Sequence, residues 1–161
     1  MQLALYKGPP TDNLAHKIGH AVTCWYTGSP YSHCELVIDG LCHSSSARDG
    51  GVRAKRIDLA SGRWDVVDLP DFTLSQQSLA FLWFDAHLGD GYDWVGLFGV
   101  ALPWRNEDQS RWFCSEAVAT ALGLDKPWRV TPADLAARFR PLPYLVDGCA
   151  IASGRTRGGH D

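Results

Sequence analysis

The sequence has no apolar run long enough to cross a bilayer, and Met1-Gln2-Leu3-Ala4-Leu5-Tyr6 lacks the basic and long apolar regions of a secretion signal. These absences predict no stable membrane insertion and a cytoplasmic chain. A long basic run is missing too. With a net charge of −3, the densest cationic stretch is Arg53, Lys55 and Arg56, which reads as the solvated face of one strand. Nucleic-acid binding is therefore not expected. Five cysteines, at positions 24, 34, 42, 114 and 149, form no Cys-x-x-Cys pair. An odd count in a reducing compartment reads as free thiols. Internal repeats, low-complexity blocks and linkers are also missing, which predicts one domain over residues 1–150. The small polar segment Gly154 to Gly159 places a flexible tail over 151–161.

What is present suits a globular enzyme-sized domain. The chain has 161 residues, 45% of them apolar and 20% charged. A chain of this length buries roughly 70% of its unfolded surface and needs no disulfide or metal to fold. Seven tryptophans serve either core packing or a wide apolar cleft.

Periodicity predicts the elements. Leu3 to Tyr6 reads as a strand, and Leu14 to Tyr26 carries a helical spacing with Asp12 or Asn13 as N-cap. Ser32 to Ile38 and Leu41 to Ser46 read as a hairpin around Asp39-Gly40. Val52 to Ile57 and Trp64 to Leu69 are two further strands. Thr73 and Gln76 form a capping box for a helix through Leu88, with Leu79, Leu82, Trp83 and Ala86 on one face. A short helix over Trp94 to Ala101 follows, and Ser110 caps a helix to Leu122. Thr131-Pro132-Ala133-Asp134 starts the last helix. This order predicts an α+β fold with a largely antiparallel sheet.

The chemistry concentrates in Arg111-Trp112-Phe113-Cys114-Ser115-Glu116. In the first turn of a helix, unpaired N–H groups and the dipole favour a thiolate at Cys114. The same N–H groups suit an oxyanion formed when the thiolate attacks a carbonyl. Against this stands the fate of most free cysteines, burial as small apolar side chains. A thiolate nucleophile needs a proton partner, and His33 at the head of a strand is placed for it. His87 and His160 read as surface residues.

Tyr31-Ser32-His33, Gly91-Tyr92-Asp93, Cys114-Ser115-Glu116 and Thr131-Pro132-Ala133-Asp134-Leu135 recur in this order in one group. The chain resembles the YiiX-like permuted papain-fold cysteine peptidases or amidases, relatives of NlpC-type cell-wall endopeptidases and lecithin:retinol acyltransferases. The resemblance spans roughly residues 3 to 140. It implies a circularly permuted papain-like domain with Cys114 as nucleophile and His33 as base.

A third residue should orient the imidazole. Relatives often draw it from the strand after the histidine, which implies His43. Strand geometry objects, because a two-residue Asp39-Gly40 turn pairs Leu36 with His43 and puts His43 on the face opposite His33. Glu35 lies on His33's own face, as do Ser44 and Ser46. His43 stands slightly ahead of Glu35, with Ser44 and Ser46 behind them.

The expected activity is hydrolysis of an amide, of peptide or peptidoglycan-stem type, through a Cys114 acyl-thioester and without a cofactor. A wall target without a signal peptide would require a phage-type release route. The expected partner is a peptide-like or acyl substrate. Three rival readings remain: an ester-cutting thioesterase or acyltransferase, a non-catalytic binding module, and a zinc site built on His16 and His20. Lys17 stands where a metalloprotease pattern needs Glu.

Overall fold

The computed structural model describes residues 1–8, 17, 20–21, 23–24, 27–99 and 110–140. Seven strands form one sheet: β1 (Gln2–Tyr6), β2 (His33–Ile38), β3 (Leu41–Ser46), β4 (Gly51–Lys55), β5 (Trp64–Asp68), β6 (Gly91–Tyr92) and β7 (Arg111–Trp112). Their order across the sheet is β5-β1-β2-β3-β4-β6-β7, antiparallel throughout except for the parallel β6–β7 pair. Four helices accompany it among the described residues: α1 (Leu74–Ala86), α2 (Trp94–Gly99), α3 (Cys114–Ala121) and α4 (Pro132–Phe139). The expected α+β class with a largely antiparallel sheet is observed. Of the expected first helix, helical backbone is described at Lys17, His20, Ala21, Thr23, Cys24 and Thr27. Its proposed caps, Asp12 and Asn13, lie outside the described residues, as do His16, Cys149, His160 and the 151–161 tail.

The two faces of the sheet differ because side chains alternate along each strand. One face carries Leu3 and Leu5 of β1, Cys34, Leu36 and Ile38 of β2, Val52 of β4 and Val67 of β5. Against it pack Ala80 and Phe84 of α1, Cys114, Ala117 and Val118 of α3, and Leu135 of α4. This is the main core. The other face holds a smaller cluster of Ala4, Val37 and Cys42, and is otherwise polar around Glu35 and Arg53.

Register follows from one turn. Asp39 and Gly40 both have positive φ, 49° and 75°, as the two central residues of a type I′ hairpin require. The turn pairs Ile38 with Leu41, Val37 with Cys42 and Leu36 with His43. Gly51 is another fixed point. At φ +154° a Cβ there would lie 1.8 Å from the Asp90 carbonyl oxygen, so only glycine lets β4 meet β6.

Two helix readings need correction. The expected helix from a Ser110 cap does not form. Arg111 and Trp112 join the sheet as β7, and the helix starts at Cys114 with Phe113 as N-cap. The α1 cap forms as expected, with Thr73 and Gln76 bonded reciprocally. Its buried residues, however, are Ala80 and Phe84, while Leu79 and Leu82 are 66% and 57% exposed. A helix apolar nearly all round has no single stripe to read.

Candidate functional site

Three side chains converge where β2 begins and α3 starts. Cys114 is the first residue of α3, so its N–H has no acceptor within the helix. The helix start is held by its surroundings. The Glu116 carboxylate accepts from the Phe113 N–H at 3.5 Å, and the Ser115 hydroxyl donates to the Val130 carbonyl at 2.7 Å. Ser45 on β3 donates to the Trp112 carbonyl at 2.6 Å. Those contacts seat Cys114, 2% exposed, against the start of β2.

Cys34 and then the charge of His33 favour a negative sulfur there, outweigh burial and hold the Cys114 thiol well below its ordinary value. The other three described cysteines go the opposite way. Burial pushes the thiols of Cys24, Cys34 and Cys42 up. Cys114 is thus set apart by its surroundings from thiols that are simply packed away.

His33 answers it. Burial opposes a charge on the ring, but the Cys114 thiolate and then Glu35 overcome it and raise the imidazole from 6.5 to about 9. Its Nε2 lies 2.7 Å from Glu35 Oε1. With Nε2 bound to the carboxylate, Nδ1 is left to exchange a proton with the sulfur.

Glu35 is therefore the residue that holds His33. Its side chain is 1% exposed and is clamped from behind by Arg53, with Nη2 to Oε1 at 2.5 Å and Nη1 to Oε2 at 2.6 Å. Arg53 reaches Asp49 Oδ2 at 2.8 Å, and Lys55 meets the same oxygen at 2.5 Å. Burial works against the Glu35 charge, yet Arg53 and His33 keep its carboxyl below the ordinary value.

His43 does not take the orienting position. It lies on the opposite face, 5.9 Å from Phe81 and 5.4 Å from Phe84 between ring centroids. Burial there depresses its imidazole. The tight turn decides the point through strand parity, as the register argument anticipated. Ser44 donates instead to the Cys34 carbonyl at 2.7 Å, fastening β3 to β2 where Cys34 sits.

Arg53 is the residue that sequence reasoning missed. Its side chain is only 13% exposed, not part of a solvated face. The signal was available in the register. Extending Leu36–His43 by one residue sets Glu35 opposite Ser44, and Ser44 pairs with Arg53. An acid and an arginine thus share one row, with a small serine between them. Tyr92 was quoted only as part of a motif. Burial, and then the negative charge at Cys114, push its phenol well above the ordinary value. Tyr92 therefore stays protonated, and it lines the same cleft as His33.

A cleft of about 400 Å³ opens beside His33 and Glu35, with Tyr6, Arg63, Trp64, Tyr92 and Trp94 among its walls; the buried Cys114 is not part of its lining. Trp64 and Trp94 line it, whereas Trp112 packs against Trp83 and His87 with centroids 5.0 Å and 5.3 Å away. His87, expected at the surface, is half-buried and stacked on Trp83 at 4.3 Å. Trp25 and Trp104 lie outside the described residues.

Among the described residues, no group of three or more His, Cys, Asp or Glu side chains is arranged to hold a metal ion. No described helix is long and apolar enough to cross a membrane. Comparison with protein-family models returns no match, and comparison with curated proteins likewise returns none.

Proposed function

We propose that the protein is a cysteine hydrolase with Cys114 as nucleophile, His33 as general base and acid, and Glu35 as the group that orients His33. The observation that carries this reading is the divergence of the thiols: Cys114 alone among the described cysteines is held below its ordinary value, beside an imidazole raised to about 9. A core cysteine has no use for such an ion pair.

In this mechanism the Cys114 thiolate attacks a carbonyl carbon, and the charge moves to the carbonyl oxygen. The Cys114 N–H at the head of α3 and the Tyr92 phenol are the donors that suit that oxyanion. His33 then gives its proton to the leaving amine, and an acyl-thioester forms on Cys114. Water, deprotonated by His33, attacks the thioester and releases the acid. Throughout, Glu35 fixes the tautomer and steadies the imidazolium, while Arg53 keeps Glu35 ionised in a buried position.

The permuted papain-like architecture remains the best description of the order in which His33 and Cys114 occur. A peptide or peptidoglycan-stem amide is the substrate class proposed. Ester substrates pass through the same acyl-thioester, and the aromatic cleft walls suit an acyl chain as well as a peptide side chain. The substrate panel therefore includes both.

The direct test is limiting iodoacetamide on the full chain across a pH series, with the alkylated cysteines mapped by mass spectrometry. The expected result is fast, selective alkylation of Cys114 well below the ordinary thiol pKa of about 8.5. If Cys114 reacts no faster than the other cysteines, the proposal fails.

A further inference from the structure

The mechanism above gives no role to the buried thiol next to His33 in the chain. Cys34 follows His33 on β2, is fully buried, and sits in the same core cluster as Cys114. Both lie in the buried layer where the start of β2 meets the start of α3, near enough for each to bias the other's protonation. The pair is held from both sides. β2 is locked between β1 and β3, with the Cys34 carbonyl taken by Ser44, and the start of α3 is pinned through Phe113 and Ser115. A valine would fill the same core space, so packing alone does not call for sulfur at position 34. The remaining described cysteines are placed elsewhere. Cys42 lies on the other face with Ala4 and Val37, and Cys24 lies 3.8 Å from the His20 ring.

We propose that Cys34 and Cys114 form an oxidative modification site, in which Cys34 captures peroxide-oxidised Cys114 as a disulfide. The inference rests on the functional reading only for the thiolate at Cys114. In the first step the Cys114 thiolate attacks one oxygen of hydrogen peroxide and the O–O bond breaks. Cys114 becomes a sulfenic acid, and the departing hydroxide takes a proton to become water. Sulfur loses two electrons and peroxide gains them. In the second step the Cys34 sulfur attacks the Cys114 sulfur. The S–S bond forms, the S–O bond breaks, and the thiol proton leaves with the hydroxyl as water.

The order of events suits Cys34. Burial, together with the negative charge at Cys114, keeps its thiol protonated while the nucleophile is an anion. Forming the sulfenic acid removes that anion, so the thiol is released from the charge that opposed its ionisation. The disulfide stops oxidation before the sulfinic and sulfonic stages, which thiols do not reverse. An external dithiol then restores both residues.

The experiment is titration of the full chain with hydrogen peroxide, followed by intact-mass measurement and peptide mapping. Wild type should lose two hydrogens, yield a cross-linked peptide joining Cys34 to Cys114, and regain iodoacetamide labelling of Cys114 after dithiothreitol. In Cys34→Val and Cys34→Ser, both first checked for folding by circular dichroism, the same dose should carry Cys114 to the sulfinic and sulfonic acids, with no recovery. The proposal is overturned if wild-type Cys114 accumulates two or three oxygens without a cross-link, or if the cross-link joins Cys114 to another cysteine. A Cys114 that stays unmodified overturns it as well, and in addition indicts the thiolate. Because the readouts are mass and labelling, they stand whether or not a hydrolysed substrate is found.

Discussion

His33 and His43 occupy adjacent strands of one hairpin, and the molecule treats them in opposite ways. His33 faces a carboxylate and a thiolate, and its imidazole is raised to about 9. His43 faces Phe81 and Phe84, and its imidazole is lowered. The difference is one of parity, set by a two-residue turn. Proximity along the chain therefore says little about which histidine meets charged partners. The charged face can support a proton carrier, and the aromatic face can only store a neutral ring.

The sharpest way to test that contrast is to remove the nucleophile proposed for the His33 face. Cys114→Ala should lower turnover by about 10⁶ while leaving the circular dichroism spectrum unchanged. Turnover that survives the substitution would dissolve the distinction between the two faces.

Glu35→Gln comes next. The amide cannot support an imidazolium, so turnover should fall by about 10⁴. It also leaves Arg53 without its buried partner, at a cost of about 3–5 kcal/mol in urea unfolding. A variant that keeps full activity would return the orienting role to some other group. Tyr92→Phe should cost about 10² in kcat if the phenol donates to the oxyanion, with little change in KM.

The pH profile offers a finer measure. Leaving-group departure needs His33 protonated, and His33 is raised from 6.5 to about 9. Hydrolysis should therefore hold through neutrality and fall about tenfold per pH unit above that value. On the acid side activity should fall only where Cys114 takes up its proton, well below the ordinary thiol range. An alkaline limb near 6.5 would mean that the thiolate and Glu35 do not support the ring. The smallest effect belongs to His43→Phe, which swaps one ring for another in an aromatic pocket. It should leave turnover unchanged and shift stability by less than about 1.5 kcal/mol. A loss comparable to that of Glu35→Gln would reverse the assignment of the two histidines.

Local signals carried much of this. The Asp39-Gly40 turn, the Thr73–Gln76 capping box, the helix start at Thr131-Pro132 and the placement of Cys114 in a first helical turn were all legible, because each depends on a few neighbouring residues. What failed needed knowledge of partners distant in the chain. Arg53 looked like a surface cation because nothing near it announces the carboxylate two strands away. Ser110 looked like a cap because a serine before a helix usually is one, and the pairing of Arg111 with Gly91 is a tertiary event. His43 was favoured by resemblance over register, and the register was the better guide.

Gly51 carries a consequence for how this chain can drift through generations. Every coding change away from glycine installs a Cβ, and here that atom would fall on the Asp90 carbonyl. Asp90 leads directly into β6 and Tyr92, and its carboxylate accepts from the Trp112 indole at 3.0 Å, two residues before Cys114. A random-mutation library selected for thiol reactivity should therefore come back blank at position 51. That blank would be a genetic shadow of the proposed site, cast by a residue that takes no part in the proposed chemistry.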